Sequence, residues 1–263
     1  MNILQVILLG IVEGITEFLP ISSTAHIEIT QYFLGIVTTD FTKSFQIAIQ
    51  LGAIMAVVFL YRKKLFSSPF IYYRNILIAF IPTGIIGFLL YKIIKTFLLG
   101  NIFLAAVMLF LGGLVIIFYE RRESKNKSGS KEIPIQTIET LSVKELLVLG
   151  TAQALAVVPG VSRSGAVIIS GRMLGLSRIL ITEFSFLLAI PTMLAATAYD
   201  LLKSGFSFTS IEWGSIGLGF VVSFITAFFV VKWLIDYIKN NSFSVFGWYR
   251  VFLGLFLILF YFL

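Results

Sequence analysis

The chain has 263 residues, 58% hydrophobic, 15% aromatic and only 13% charged, whereas soluble domains carry about 25% charged residues. A water-soluble globule of this length cannot hide so much apolar surface and a disordered chain would not contain it, which leaves a polytopic membrane protein. Cysteine is absent, so disulfides and thiolate chemistry are excluded, and the net charge of +7 reads as basic cytoplasmic loops beside anionic lipid rather than a nucleic-acid surface.

In chain order, residues 1–35 come first. Residues 1–12 hold no Lys or Arg, so no cleavable leader is expected. The segment is apolar but carries Glu13, Glu17, His26 and Glu28, with Pro20 in its middle. Such an interrupted segment fits a re-entrant hairpin, because irregular backbone is tolerated at membrane depth only where it lines a protein cavity. Charge-free stretches at 44–61, 75–91 and 96–119 then read as spans. Residues 120–142 form a polar linker with Arg121, Arg122, Lys125, Lys127 and Lys131, and the Ser-Gly-Ser at 128–130 predicts a flexible loop. A second interrupted segment, 146–177, contains Pro159-Gly160, Arg163 and Arg172. Three more spans are predicted at 184–199, 213–231 and 240–263, the last broken only by Arg250. The predicted fold is an all-α polytopic membrane protein with six transmembrane helices plus two re-entrant helical hairpins.

The interrupted segments resemble each other. A shift of 140 residues lays Leu9-Gly10 on Leu149-Gly150, Glu13 on Gln153, and Ile21-Ser22-Ser23-Thr24 on Val161-Ser162-Arg163-Ser164. Further along, Leu109-Phe110-Leu111-Gly112 meets Val251-Phe252-Leu253-Gly254. The reading is an internal duplication within one membrane domain: a first repeat over 1–122, a basic cytoplasmic linker over 123–142, and a second repeat over 143–263. Each half holds one hairpin and three spans. Three is odd, so the second half lies inverted, as in transporter folds. Counting Lys and Arg places Arg62, Lys63, Lys64, Arg74, the linker, Lys144, Arg178 and Lys239 on one side, against Lys43, Lys92, Lys95 and Lys203 on the other. The richer side is expected in the cytoplasm, with both termini outside.

Glu13 and Glu17 are four residues apart, on one helix face. Two carboxylates so close in apolar surroundings need a cation or a shared proton, or a buried basic partner. A divalent metal with oxygen ligands, Mg²⁺ or Ca²⁺, suits them. His26, the single histidine, suits a nucleophile toward phosphorus, a general acid or base, or a hydrogen-bonded structural residue. Ser22, Ser23 and Thr24 suit helix capping or phosphate binding. In the second hairpin, Ser162, Arg163, Ser164 and Gly165 combine a backbone free to form an anion nest with a permanent forked charge. Together the hairpins suit a phosphorylated lipid and metal-assisted phosphoryl transfer to water. A transporter or flippase for a polyprenyl phosphate is the competing class. A cation channel is disfavoured because Arg163 opposes cations.

The run Glu13 to His26, Glu-x-x-x-Glu-Phe-Leu-Pro-Ile-Ser-Ser-Thr-Ala-His, resembles the first signature of the undecaprenyl-diphosphate phosphatase family of the bacitracin-resistance type. Pro159-Gly160-Val161-Ser162-Arg163-Ser164-Gly165 resembles its second, and Ile49–Ile54 and Glu183–Pro191 resemble further family segments. The resemblance covers essentially the whole chain. It implies a multi-pass bacterial plasma-membrane enzyme with a cleft open to the outside, hydrolysing undecaprenyl diphosphate to the monophosphate and phosphate. That reaction recycles the carrier lipid for cell-wall synthesis and removes the target of bacitracin. It implies Glu13, Glu17, Ser23, His26, Ser162 and Arg163 as site residues, with Ser23, His26 or water as nucleophile. Partners are then the lipid substrate and the bilayer, with no nucleic acid; the oligomeric state, a dimer included, stays open. One position departs from the pattern: Val167 stands where the family usually carries Thr, so a hydroxyl is lost.

Overall fold

A computed structural model describes residues 1–126, 136–204 and 207–262. The flexible loop expected at 128–130 and Lys131 lie outside the described residues. Helices α1 (Ile3–Thr16) and α2 (Ser23–Phe33) form a hairpin, followed by α3 (Asp40–Leu60) and a short α4 (Arg62–Ser67). Next come α5 (Phe70–Ile93), continued by a π-helical turn over Ile94–Leu98, and α6 (Ile102–Asn126). Helices α7 (Val143–Ala154) and α8 (Arg163–Met173) form a second hairpin, and α9 (Arg178–Ser204), α10 (Ser210–Asn240) and α11 (Ser244–Tyr261) complete the chain.

Among the described residues six helices are long and apolar enough to cross a membrane: α3, α5 with its π turn, α6, α9, α10 and α11. These are the six spans read from the sequence. Most run past the charge-free stretches, because the charges that bounded those stretches are held in pairs at the helix ends. Lys95 meets Asp200, and Arg178 meets Glu120 and Glu123. One boundary is corrected. The stretch 96–119 is not one helix: Thr96–Leu98 ends the preceding helix, and the chain turns at Gly100 (φ +89°) before Ile102. That turn is fixed by Glu28 Oε1, which accepts from Gly100 N at 2.7 Å.

The helices approach closely where glycines remove side chains, as expected where lipid-facing apolar surface gives helices no reason to associate. Gly10 on α1 lies against the Gly219 carbonyl of α10, and Gly150 on α7 against the Ala79 carbonyl of α5. Shifting by 140 residues converts one contact into the other, with the halves exchanged. Thus α1 packs on α10 as α7 packs on α5, while α3 meets α9 and α6 meets α11 across the middle.

The hairpin tips touch. Ser22 (φ +70°) and Ser162 (φ +75°) both hold the left-handed conformation that non-glycine residues avoid. Ser22 Oγ accepts from Gly160 N at 3.1 Å, and Ser164 Oγ donates to the Leu19 carbonyl at 2.9 Å. Around the tips, Phe18, Leu19 and Ile21 pack with Val167, Ile168, Phe184 and Phe186, the rings of Phe18 and Phe186 edge-on at 4.9 Å.

Candidate functional site

Helix α1 ends at Thr16, so Glu17 projects where the chain leaves the helix. Helix α8 begins at Arg163. The touching tips therefore set an acid and a guanidinium face to face. Arg163 Nη2 lies 2.9 Å from Glu17 Oε1, and Nη1 donates to the Ser185 carbonyl at 2.8 Å. Ser23 Oγ donates to the other carboxylate oxygen, Glu17 Oε2, at 2.5 Å. The pair is almost wholly buried, with side-chain exposures of 8% and 4%.

A cavity of about 480 Å³ adjoins this pair. Glu17, Ser22, Ser23, Thr24, Ser162 and Arg163 line it, as do Gln46, Gln50 and Lys95. Phe80, Phe88, Ile94 and Met193 supply apolar lining. Two helices start at the cavity. Ser22 makes no side-chain cap to α2, so the leading N–H groups of that helix are left for a ligand. At α8, Ser162 Oγ caps Gly165 N at 3.1 Å. Two helix N-termini beside a guanidinium suit an anion, and the apolar lining suits a hydrocarbon chain attached to it.

The other residues singled out in the sequence stand behind this lining. Glu13 is fully buried one turn before Glu17, and neither of its carboxylate oxygens meets a donor. Its charged neighbours are Glu17 and Arg163. Among the described residues no three His, Cys, Asp or Glu side chains are grouped so that they could hold a metal ion. The donor set for a cation is therefore two carboxylates, and one of them is wholly unengaged. Hard oxygen donors of this kind fit Mg²⁺ or Ca²⁺ if phosphate or water oxygens complete the shell.

His26 does not line the cavity. Its Nδ1 lies 2.7 Å from the Ser22 carbonyl and its Nε2 2.7 Å from the Tyr249 hydroxyl, with the two rings stacked at 5.6 Å. A carbonyl only accepts, so Nδ1 carries hydrogen, and in the neutral ring Nε2 accepts from Tyr249. Ser164 is turned to Leu19, Gly165 lies behind its cap, and Val167 is fully buried. The hydroxyl lost at Val167 is a core position, not a cavity position. Glu183, in one of the quoted segments, is bonded to Tyr61 and Lys64 and is absent from the lining.

Sequence reasoning missed Arg250. It is 1% exposed, and its guanidinium donates to the carbonyls of Pro20 (2.9 Å), Gly160 (2.8 Å), Val161 (3.1 Å), Met108 (3.2 Å) and Leu109 (3.4 Å). One side chain thus ties both hairpin tips to α6. The available signal was its standing as the single charge in the last span.

The family model for bacitracin resistance protein BacA matches residues 6–256. Curated relatives named undecaprenyl-diphosphatase align over nearly their full length. The protein of Aquifex aeolicus is 52% identical over 95% of both chains. That of Sulfurihydrogenibium sp. is 49% identical over 99% of this chain and 100% of its own, and that of Persephonella marina 46% over 99% of both.

Proposed function

The chain belongs to the bacitracin resistance protein BacA family, and from that premise we propose that it is an integral membrane phosphatase hydrolysing undecaprenyl diphosphate to undecaprenyl phosphate and inorganic phosphate. The relatives' shared name supports the activity and does not favour a flippase. The observation that carries the chemistry is the relay from Ser23 to Glu17 to Arg163 on the wall of an amphipathic cavity.

Glu17 Oε2 takes the Ser23 hydroxyl proton while Oγ attacks the terminal phosphorus. The bond between that phosphorus and the bridging oxygen breaks, Glu17 passes its proton to the departing oxygen, and undecaprenyl phosphate leaves behind a phosphoserine. Water, deprotonated by Glu17, then attacks the same phosphorus; orthophosphate leaves and the proton returns to Ser23. Arg163 and the N-termini of α2 and α8 stabilise the charge on the non-bridging oxygens. Arg163 also holds the Glu17 carboxylate in place between turnovers, through the ion pair at 2.9 Å. His26 acts as a positioning residue, holding the first turn of α2 between the Ser22 carbonyl and Tyr249. Glu13 and Glu17 would hold a divalent ion, whose contribution is Lewis-acid stabilisation of phosphate oxygens.

The basic ends of the helices are placed in the cytoplasm of a bacterial cell, and the cavity and termini outside, where recycling of the carrier lipid for cell-wall synthesis and bacitracin resistance follow. The two hairpins are re-entrant and belong to inverted repeats, supported by the exchanged glycine contacts and the paired left-handed serines. The test is phosphate release from a polyprenyl diphosphate by purified protein in detergent. Glu17→Gln and Ser23→Ala should each slow release at least about a hundredfold, and Ser23→Ala should abolish phosphoserine in a single-turnover quench. Unchanged release in both variants rejects the reading.

A further inference from the structure

Among the described residues the cavity lining contains two basic side chains, Arg163 and Lys95. The mechanism uses only the first. Lys95 sits in the π-helical turn that ends α5; such turns are rare and often mark functional sites. Lys43 Nζ pins the turn by donating to the Lys95 carbonyl at 2.8 Å. Lys95 Nζ pairs with Asp200 Oδ1 at 2.5 Å and donates to Ser44 Oγ at 3.3 Å, and Tyr91 donates its hydroxyl to the same Asp200 oxygen at 2.7 Å. An ammonium has three hydrogens. Two are engaged by these oxygens, and the ammonium, which also lies 5.8 Å from the centroid of the Tyr91 ring, lines the cavity.

A second cavity, also about 480 Å³, shares Tyr91 and Lys95 with the first. Its other walls include Asp40, Ser44, Lys203 and Glu212, at the start of α3, the end of α9 and the start of α10. It therefore lies at the ends of membrane-crossing helices. Tyr91 and Lys95 partition the reaction cavity from this outer one.

The two products differ in where they can go. The lipid monophosphate can leave sideways into the bilayer. Orthophosphate is a multiply charged anion that hydrocarbon excludes, so it needs a polar route. Lys95 is the cation shared by the two cavities, and beyond it the carboxylates of Asp40 and Glu212 outnumber the one further base, Lys203, which disfavours retention of an anion. We propose that Lys95 is the exit site for orthophosphate: its ammonium exchanges Asp200 for the phosphate, and Asp200 recaptures it as the phosphate passes to the outer cavity. This rests on the phosphatase reading above.

The experiment measures release of radiolabelled phosphate from polyprenyl diphosphate by the full-length protein in detergent, against added unlabelled orthophosphate. Lys95→Gln and Asp200→Asn break the same ion pair but should move phosphate inhibition in opposite directions. Lys95→Gln should raise the half-inhibiting concentration about tenfold, as loss of one charge-assisted contact does. Asp200→Asn, which removes the competitor, should lower it severalfold, and Lys95→Arg should stay near the unaltered protein. Shifts in the same direction mean a structural role only and overturn the proposal. So does a changed KM for the lipid with unchanged phosphate inhibition. If Lys95→Gln does not fold, Asp200→Asn decides, and failure to tighten inhibition overturns the proposal. No release at all by the unaltered protein rejects the phosphatase reading itself, and this proposal with it.

Discussion

Arg250 carries a full positive charge to a place where its partners are carbonyl oxygens and, among the described residues, it forms no ion pair. The carbonyl dipoles of both tips replace the water it has lost. Arg250→Met takes this donor from the buried tip carbonyls of Pro20, Gly160 and Val161, at about 1–3 kcal/mol each. A large fall in thermal midpoint is expected, with faster hydrogen exchange around Gly160. Lys in its place keeps the charge but lacks the planar fork, so Arg250→Lys should lie between the two. Gly112→Ala should act on the same strap, because an added Cβ meets the Arg250 guanidinium. At Glu13 the expectation concerns a metal. Chelation should stop phosphate release and Mg²⁺ or Ca²⁺ restore it, with Glu13→Gln requiring more metal, read as the half-activating concentration. Glu17, Ser23 and Arg163 were legible because their residue types announce phosphate chemistry. Arg250 was not, since backbone carbonyls leave no signature in the residue types of its partners. Tyr249 as the partner of His26 was equally silent, because the two are brought together only by folding.

Each hairpin is an element that can exist only in company. Its tip contains a left-handed serine and short irregular backbone, and polar groups there are satisfied by the other tip and by Arg250. Gly160 has φ +91° and sits against the Ala105 carbonyl, where a Cβ would clash. Gly150 is more demanding still, since a Cβ there overlaps the Ala79 carbonyl of α5. Gly150→Leu should push α7 from α5 and displace Thr83, which donates to the Gly150 carbonyl at 2.9 Å. The expected result is loss of thermal stability in detergent, together with loss of phosphate release. The interruption by Pro and small polar residues made both hairpins legible. The helix ends were less so, because charge-free length marks a helix only until the first paired charge, and α9 continues from Arg178 to Ser204 through several of them.

For the whole molecule, the distribution of Lys and Arg sets the direction of insertion. The absence of cysteine makes it directly measurable. Val37→Cys, 74% exposed between α2 and α3, should react with an impermeant maleimide on intact cells. Ser67→Cys, at the opposite end of α3, should react only after lysis. The reverse pattern would turn the cavity and the proposed orthophosphate exit toward the cytoplasm. Number and order of spans were legible from hydropathy alone. Which helices touch was not, because lipid-facing and protein-facing apolar residues look alike in a membrane chain.

The glycine contacts of α1 on α10 and of α7 on α5 also bear on biogenesis. The first hairpin leaves the ribosome long before the helix it leans on has been made, so ordinary vectorial folding, N-terminal half first, is closed to this chain. Until synthesis has passed its midpoint and reached Arg163, the nascent protein holds two acids with no guanidinium to meet them, and until α10 is made the first hairpin has no helix to lean on. A copy terminated before α10 should therefore lack the packing of its first hairpin, and its steady-state level in membranes should fall well below that of the full chain.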